Sequence, residues 1–98
     1  MRQVMVRYKV KPDRVAENEE LVRAVYDELG RVAPAGLRYA TFRLEDGVSF
    51  VHVVIEEDVD APDSLQDVPA FRAFTKDIAD RCDVPPLAMG ATVVGAYT

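Results

Sequence analysis

The chain holds a single histidine, His52, in the middle of the alternating run Phe50-Val51-His52-Val53-Val54. An unperturbed imidazole titrates near pH 6.5, so at neutral pH it can accept a proton from a phenol. Counting outward from Asp46-Gly47 as a hairpin turn sets Thr41 opposite His52, Tyr39 opposite Val54 and Arg43 opposite Phe50. Thr41 and Tyr39 would then orient the ring. Arg43 would steer a carboxylate or phenolate, unless it is simply solvated at the hairpin end. A core histidine satisfied by Thr41 or a tyrosine hydroxyl leaves the same signature, so both readings stay open. Tyr8, Tyr26, Tyr39, Phe50, Phe71 and Phe74 are the aromatics that can wall a flat ligand. At strand and helix spacing they also make an ordinary core.

Other chemistries find little support. One His, one Cys and no Cys-x-x-Cys argue against zinc. The acidic stretch Glu56, Glu57, Asp58, Asp60, Asp63 lacks the glycine and spacing of a calcium loop and reads as solvated, so no metal is expected. No glycine-rich phosphate loop implies a nucleotide cofactor, and no Ser-His-acid or Cys-His arrangement follows from spacing. The net charge of −5 disfavours nucleic acid, and the basic residues Arg2, Arg7, Lys9 and Lys11 give way to acidic ones at once. The lone Cys82 cannot close a disulfide within the chain and reads as a small, half-buried residue of a helix. No stretch approaches the roughly 18–20 apolar residues that span a bilayer, so a cytoplasmic protein without a membrane partner is expected.

The elements that must position His52 follow from periodicity. Residues 3–10 alternate as a strand, with Val4, Val6, Tyr8 and Val10 on one face. Asp13 is the expected N-cap of a helix whose stripe is Val15, Val22, Val25, Tyr26, Leu29 and Val32, fraying at Gly30 or stopping before Pro34. Two strands, Leu37 to Leu44 and Val48 to Ile55, flank a two-residue Asp46-Gly47 turn. An acidic loop over 56–66 leads to Asp67 as second N-cap, with Phe71, Phe74, Ile78 and Cys82 along the next helix. Pro85-Pro86 breaks the chain, and 88–97 forms a last strand weakened by Gly90 and Gly95. The order is βαββαβ, an α+β fold of ferredoxin-like type in which 98 residues make one domain over 1–98.

Right-handed crossovers place both helices on one face of a four-stranded antiparallel sheet. The hairpin carries Leu37, Tyr39, Thr41, Arg43, Phe50, His52 and Val54 on one side and Ala40, Phe42, Leu44, Val51, Val53 and Ile55 on the other. Neither side is polar, whereas a half-solvated sheet alternates. Leaving five or six such side chains wet would forfeit on the order of 5–10 kcal/mol. A homodimer packed sheet face to sheet face is the simple closed solution; a loop or the C-terminal strand over the bare face is the alternative.

Three stretches in this order, Gly36-Leu37-Arg38-Tyr39, Asp46-Gly47 followed by Phe50-Val51-His52-Val53, and Val68-Pro69-Ala70-Phe71, resemble the antibiotic-biosynthesis monooxygenase family of dimeric α+β barrels, over nearly the whole chain. The resemblance implies a homodimer with a pocket in each chain between sheet and helices, and in several members O₂ chemistry on quinols or anthrone-like aromatics without a cofactor. It also implies that Phe50, His52, Val54, Val4, Val6 and Tyr8 face that pocket, and that Phe42, Leu44, Val51, Val53 and Ile55 make the dimer contact. In the haem-degrading branch an Asn on strand one, a Trp late in strand three and a His on helix two carry the chemistry. Here those strand positions hold Val6 and Glu56 and the helix has no His, which disfavours haem. The Pro-His-Phe of many relatives is Pro69-Ala70-Phe71, which weakens transfer of a catalytic role.

Two functions follow as expectations. One is a cofactor-independent monooxygenase acting on a small aromatic compound (quinol, anthrone or polyketide-like), with His52 as base and Tyr8, Tyr39, Thr41, Phe50, Phe71 and Phe74 around the ligand. The other is a non-catalytic small-molecule-binding or interaction module of the same fold. The volume between sheet and helices, and whether His52 opens onto it, separates them.

Overall fold

The computed structural model describes residues 2–57 and 65–97. Strands β1 (Arg2–Val10), β2 (Leu37–Arg43), β3 (Ser49–Glu56) and β4 (Cys82–Gly90) form one antiparallel sheet in the order β2-β3-β1-β4. Helices α1 (Val15–Val32), α2 (Pro69–Thr75) and α3 (Ile78–Arg81) complete the βαββαβ chain. The hairpin register holds: Arg43 pairs with Phe50, Thr41 with His52 and Tyr39 with Val54. Val6 lies opposite His52 from the other side, which puts His52 on the central strand pair.

The turn itself is wider than two residues. The Leu44 N–H donates to the Ser49 carbonyl, and the Gly47 N–H donates to Leu44 within that span. Of the Asp-Gly pair only Gly47, at φ 79°, uses the left-handed region. Asp46 instead accepts from the Val48 and Ser49 N–H groups and the Ser49 hydroxyl. These bonds hold its carboxyl down at about 2.

Neither expected N-cap caps its helix. Asp13 lies in a 3₁₀ turn, Pro12–Arg14, and α1 starts one residue later from Arg14, which forks onto Glu17 at 2.7 and 2.8 Å. Asp67 likewise ends a 3₁₀ turn, Leu65–Asp67, and Val68 precedes α2. There the carboxylate comes from another helix: Glu28 on α1 accepts from the Ala70 N–H at 3.2 Å. Gly30 stays helical, and α1 ends at Ala33, whose left-handed backbone returns its N–H to Leu29.

The second helix is broken. Lys76 is extended and Asp77 sits at φ 58°, so α3 starts afresh at Ile78. Cys82 therefore opens β4 rather than ending a helix, and it is buried there. The last strand also comes earlier than 88–97 and runs through Pro85-Pro86. Two facts explain this. β4 is an edge strand, so only one side needs donors, and its ladder with β1 shifts register where the prolines lie. Past Gly90, β1 offers only Gln3, whose carbonyl accepts from Ala91, and residues 91–97 continue exposed with no strand partner among the described residues. Glu56, assigned to a loop, closes β3; the acidic segment 58–64 lies outside the described residues.

Burial separates the two faces. Tyr8, Val10, Val22, Val25, Phe50, Leu65, Phe74 and Cys82 form the core under the helices. On the reverse, Met5, Phe42, Val84, Leu87 and Met89 are about half exposed or more. No helix among the described residues is long and apolar enough to cross a membrane.

Candidate functional site

His52 stands on β3 with 2% of its surface exposed, and both ring nitrogens are engaged. Nε2 meets the Tyr8 hydroxyl from β1 at 2.7 Å. Nδ1 meets the Tyr39 hydroxyl at 2.5 Å and Thr41 Oγ1 at 3.1 Å, both from β2. Strand alternation places all four on the helix-facing side, and the register brings them level. Phe74 from α2 stacks on the imidazole with centroids 5.2 Å apart. Tyr39 in turn stacks on Tyr26 of α1 at 5.2 Å and meets the edge of Phe71 at 6.2 Å.

The cluster continues to two residues absent from the sequence-based candidates. Asn18, fully buried on α1, donates through Nδ2 to the Tyr8 oxygen at 3.0 Å. Arg81, 2% exposed, donates through Nε to Asn18 Oδ1 at 3.4 Å. The same guanidinium binds the Phe74 and Lys76 carbonyls at the end of α2 and lies 5.5 Å over the Phe74 ring. A signal for both was present. Asn18 falls in phase with Val15, Val22 and Val25, where a polar residue must find partners inside, and Arg81 is three residues beyond Ile78.

Because a guanidinium only donates, the chain has a direction. Arg81 fixes the Asn18 amide oxygen toward itself and the amide nitrogen toward Tyr8. The Tyr8 oxygen accepts from that nitrogen, so its own hydrogen goes to His52 Nε2. Nδ1 then carries the imidazole proton and donates to Tyr39 or Thr41. Beyond them, Thr41 Oγ1 and the Tyr26 hydroxyl lie 2.8 Å apart. Burial pushes the His52 pKa down to about 4, so the ring is neutral at pH 7, and burial raises the phenols of Tyr8, Tyr39 and Tyr26. The Cys82 thiol is raised for the same reason, the opposite of an activated nucleophile.

A cavity of about 130 Å³ lies between the sheet and α2–α3, and Tyr8, Tyr39, His52, Phe71 and Phe74 all border it. Its wall is apolar: these residues show it ring carbon while their hydroxyls and nitrogens turn into the cluster. Thr41 and Phe50 are not in this cavity. They line an open groove of about 420 Å³ on the α1 side, together with Tyr26, Glu19 and Arg43. Arg43 spans that groove to Glu19 at 2.5 Å. The structure therefore unites five of the seven candidate residues and leaves two across the Tyr39–His52 layer. Val6, at the haem-branch Asn position, borders the cavity, whereas Glu56 sits at the far end of β3 beside Arg2. No group of three metal-ligating side chains occurs among the described residues.

No protein-family model matches the chain, and no curated protein does. Solved structures match over almost its full length. A structure named antibiotic biosynthesis monooxygenase superposes with a TM-score of 0.77 at 20% identity, covering 97% of this chain and 100% of its own. A Mycobacterium tuberculosis protein gives 0.76 at 17% identity, covering 99% and 98%. A mutant of SnoaB, a cofactor-independent oxygenase from Streptomyces nogalater, gives 0.70 at 18% identity, covering 97% and 94%.

Proposed function

From the fold it shares with antibiotic biosynthesis monooxygenases, we propose that this chain is a cofactor-independent monooxygenase acting on a small aromatic of one-ring size. The observation that carries the reading is the carbon-walled cavity of about 130 Å³ backed by the Tyr8–His52–Tyr39 cluster. A cavity near 150 Å³ lined by hydrocarbon holds benzene, so this one suits a single ring rather than an anthrone. Apolar walls also admit O₂ and exclude water from a reactive anion. The overall step balances without a reductant: a phenol unsubstituted at its para carbon plus O₂ gives a para-quinone plus water. The phenol first loses its proton, the anion passes one electron to O₂, and the two radicals join at the para carbon. Loss of water then leaves the second carbonyl.

His52 serves here as a transient carrier. Moving a proton from a phenol with a pKa near 10 onto an imidazole at about 4 is uphill by roughly 8 kcal/mol. The proton must therefore move on. Following O₂ uptake with simple phenols that keep a free para carbon, and with 1-naphthol, tests the reading: one-ring compounds are consumed, bulkier ones are not, and His52→Ala loses at least about 100-fold in kcat. Tight binding of one-ring phenols without any O₂ uptake would instead establish the module. That second reading draws on one specific observation, that both His52 nitrogens are already satisfied by protein hydroxyls.

The partner in this reading is a second copy. Met5, Phe42, Leu87 and Met89 stand exposed together on the reverse of the sheet, and two such faces closed on each other form an isologous dimer. Sedimentation at micromolar concentration should give twice the 10.9 kDa chain mass.

A further inference from the structure

We propose that Thr41 and Tyr26 form a proton outlet that joins the buried His52–Tyr39 pair to the open groove on the α1 side. The inference rests on the monooxygenase reading for its purpose, since a proton taken from a bound phenol has to leave, but its geometry stands without a ligand.

The hydrogen-bond chain has two ends. At one end stands Arg81, buried and permanently charged, which can neither take up nor release a proton near neutrality. Asn18, next in line, is fully buried and its amide does not ionise. That end is closed. At the other end Thr41 Oγ1 lies 3.1 Å from His52 Nδ1 and 2.8 Å from the Tyr26 hydroxyl. Thr41 and Tyr26 both line the 420 Å³ groove, whose mouth holds Glu19 with Arg23 and Arg43. The cavity shows no polar surface of its own, so among the described residues this is the path on which every step is a hydrogen bond.

Each step exchanges like for like. Entry requires the Tyr8 hydroxyl to turn off His52 Nε2: the ligand O–H then breaks as its proton reaches Nε2, and the hydrogen on Nδ1 passes on to Thr41. The Thr41 hydrogen passes to Tyr26, and the Tyr26 hydrogen passes to water in the groove. One proton leaves, every hydroxyl is restored and the anion stays behind. Threonine and tyrosine suit this because each hydroxyl donates and accepts at once.

The test uses the intact protein without ligand. His52 is the single histidine, so its ring ¹⁵N signals in labelled protein are unambiguous. The rate at which its ring N–H exchanges with water is read by magnetisation transfer from the solvent. Tyr26→Phe and Thr41→Val should each slow that exchange about tenfold or more, while Thr41→Ser, which keeps the hydroxyl, should restore it. A loosened fold would speed exchange, so slowing is a signature that structural damage does not produce. An unchanged or faster rate in Tyr26→Phe overturns the outlet, as does equal slowing by Thr41→Ser. O₂ uptake is scored separately: turnover that survives Tyr26→Phe with unaltered kcat and pH profile removes the outlet but leaves the oxygenase, and absence of turnover in the unmodified protein removes the oxygenase but leaves the exchange result standing.

Discussion

The two faces of the sheet invert the usual distribution. The face under the helices buries a histidine and a tyrosine and half-buries a second tyrosine and a threonine, joined through Asn18 to a buried arginine. The bare face exposes methionines, a phenylalanine and a leucine. Each inversion has its own physical condition. Polar groups survive inside only when every donor and acceptor is matched, and the directed chain from Arg81 to Thr41 meets that condition. An apolar patch of this kind normally meets a cover, and among the described residues nothing in one chain covers it. The covered face is thus satisfied within one chain, and the proposed dimer is what would satisfy the bare one.

The largest effect should come from charging the bare face. Phe42→Glu with Leu87→Glu should weaken self-association at least about 100-fold, roughly 3 kcal/mol, and halve the sedimenting mass while the His52 ring signals keep their positions. An unmodified chain that sediments alone at micromolar concentration would erase the contrast between the faces.

Acid should act on the other face. His52 binds its proton near pH 6.5 when unfolded but only near pH 4 when folded, so between those values the unfolded chain holds more protons. Stability is then complete above pH 6.5 and falls by roughly 3 kcal/mol as pH drops to 4. Denaturant titrations across that window should show the slope, and His52→Phe should flatten it. Asp46, held at about 2, acts in a lower window and leaves this slope alone.

Asn18→Ala should cost about 2 kcal/mol in urea unfolding, because it leaves Arg81 Nε without this acceptor and the Tyr8 oxygen without its donor. Oligomer mass should be unaffected. The smallest change belongs to neither face. Gly47→Ala meets open space but at φ 79°, so it should lose about 1 kcal/mol through backbone strain and alter neither the acid slope nor the association.

Much of this was legible in the residues. Period-two alternation and Asp46-Gly47 fixed the β2–β3 register, because a slip by one residue would turn His52 to the outside. The bare face followed from the same parity. What escaped depended on tertiary competition. Asp13 and Asp67 look like caps, but 3₁₀ turns occupy those positions and Glu28 reaches across from α1 to serve α2. Pro85-Pro86 looks like a break until β4 is known to be an edge. Asn18 and Arg81 were hidden because composition counts them as surface types, although their helical phase points inward. Thr41 and Phe50 share the face of His52, but a layer of side chains separates them from the cavity, which strand parity alone does not resolve.

The proline pair in β4 has one more consequence. A strand on the rim of a sheet offers its free amides to any extended chain that drifts past, and that is how sheets grow without limit into fibrils. Pro85 and Pro86 have no amide hydrogens to offer, and the ladder beside them is out of step. Over the proline pair, lateral growth along this rim lacks a template.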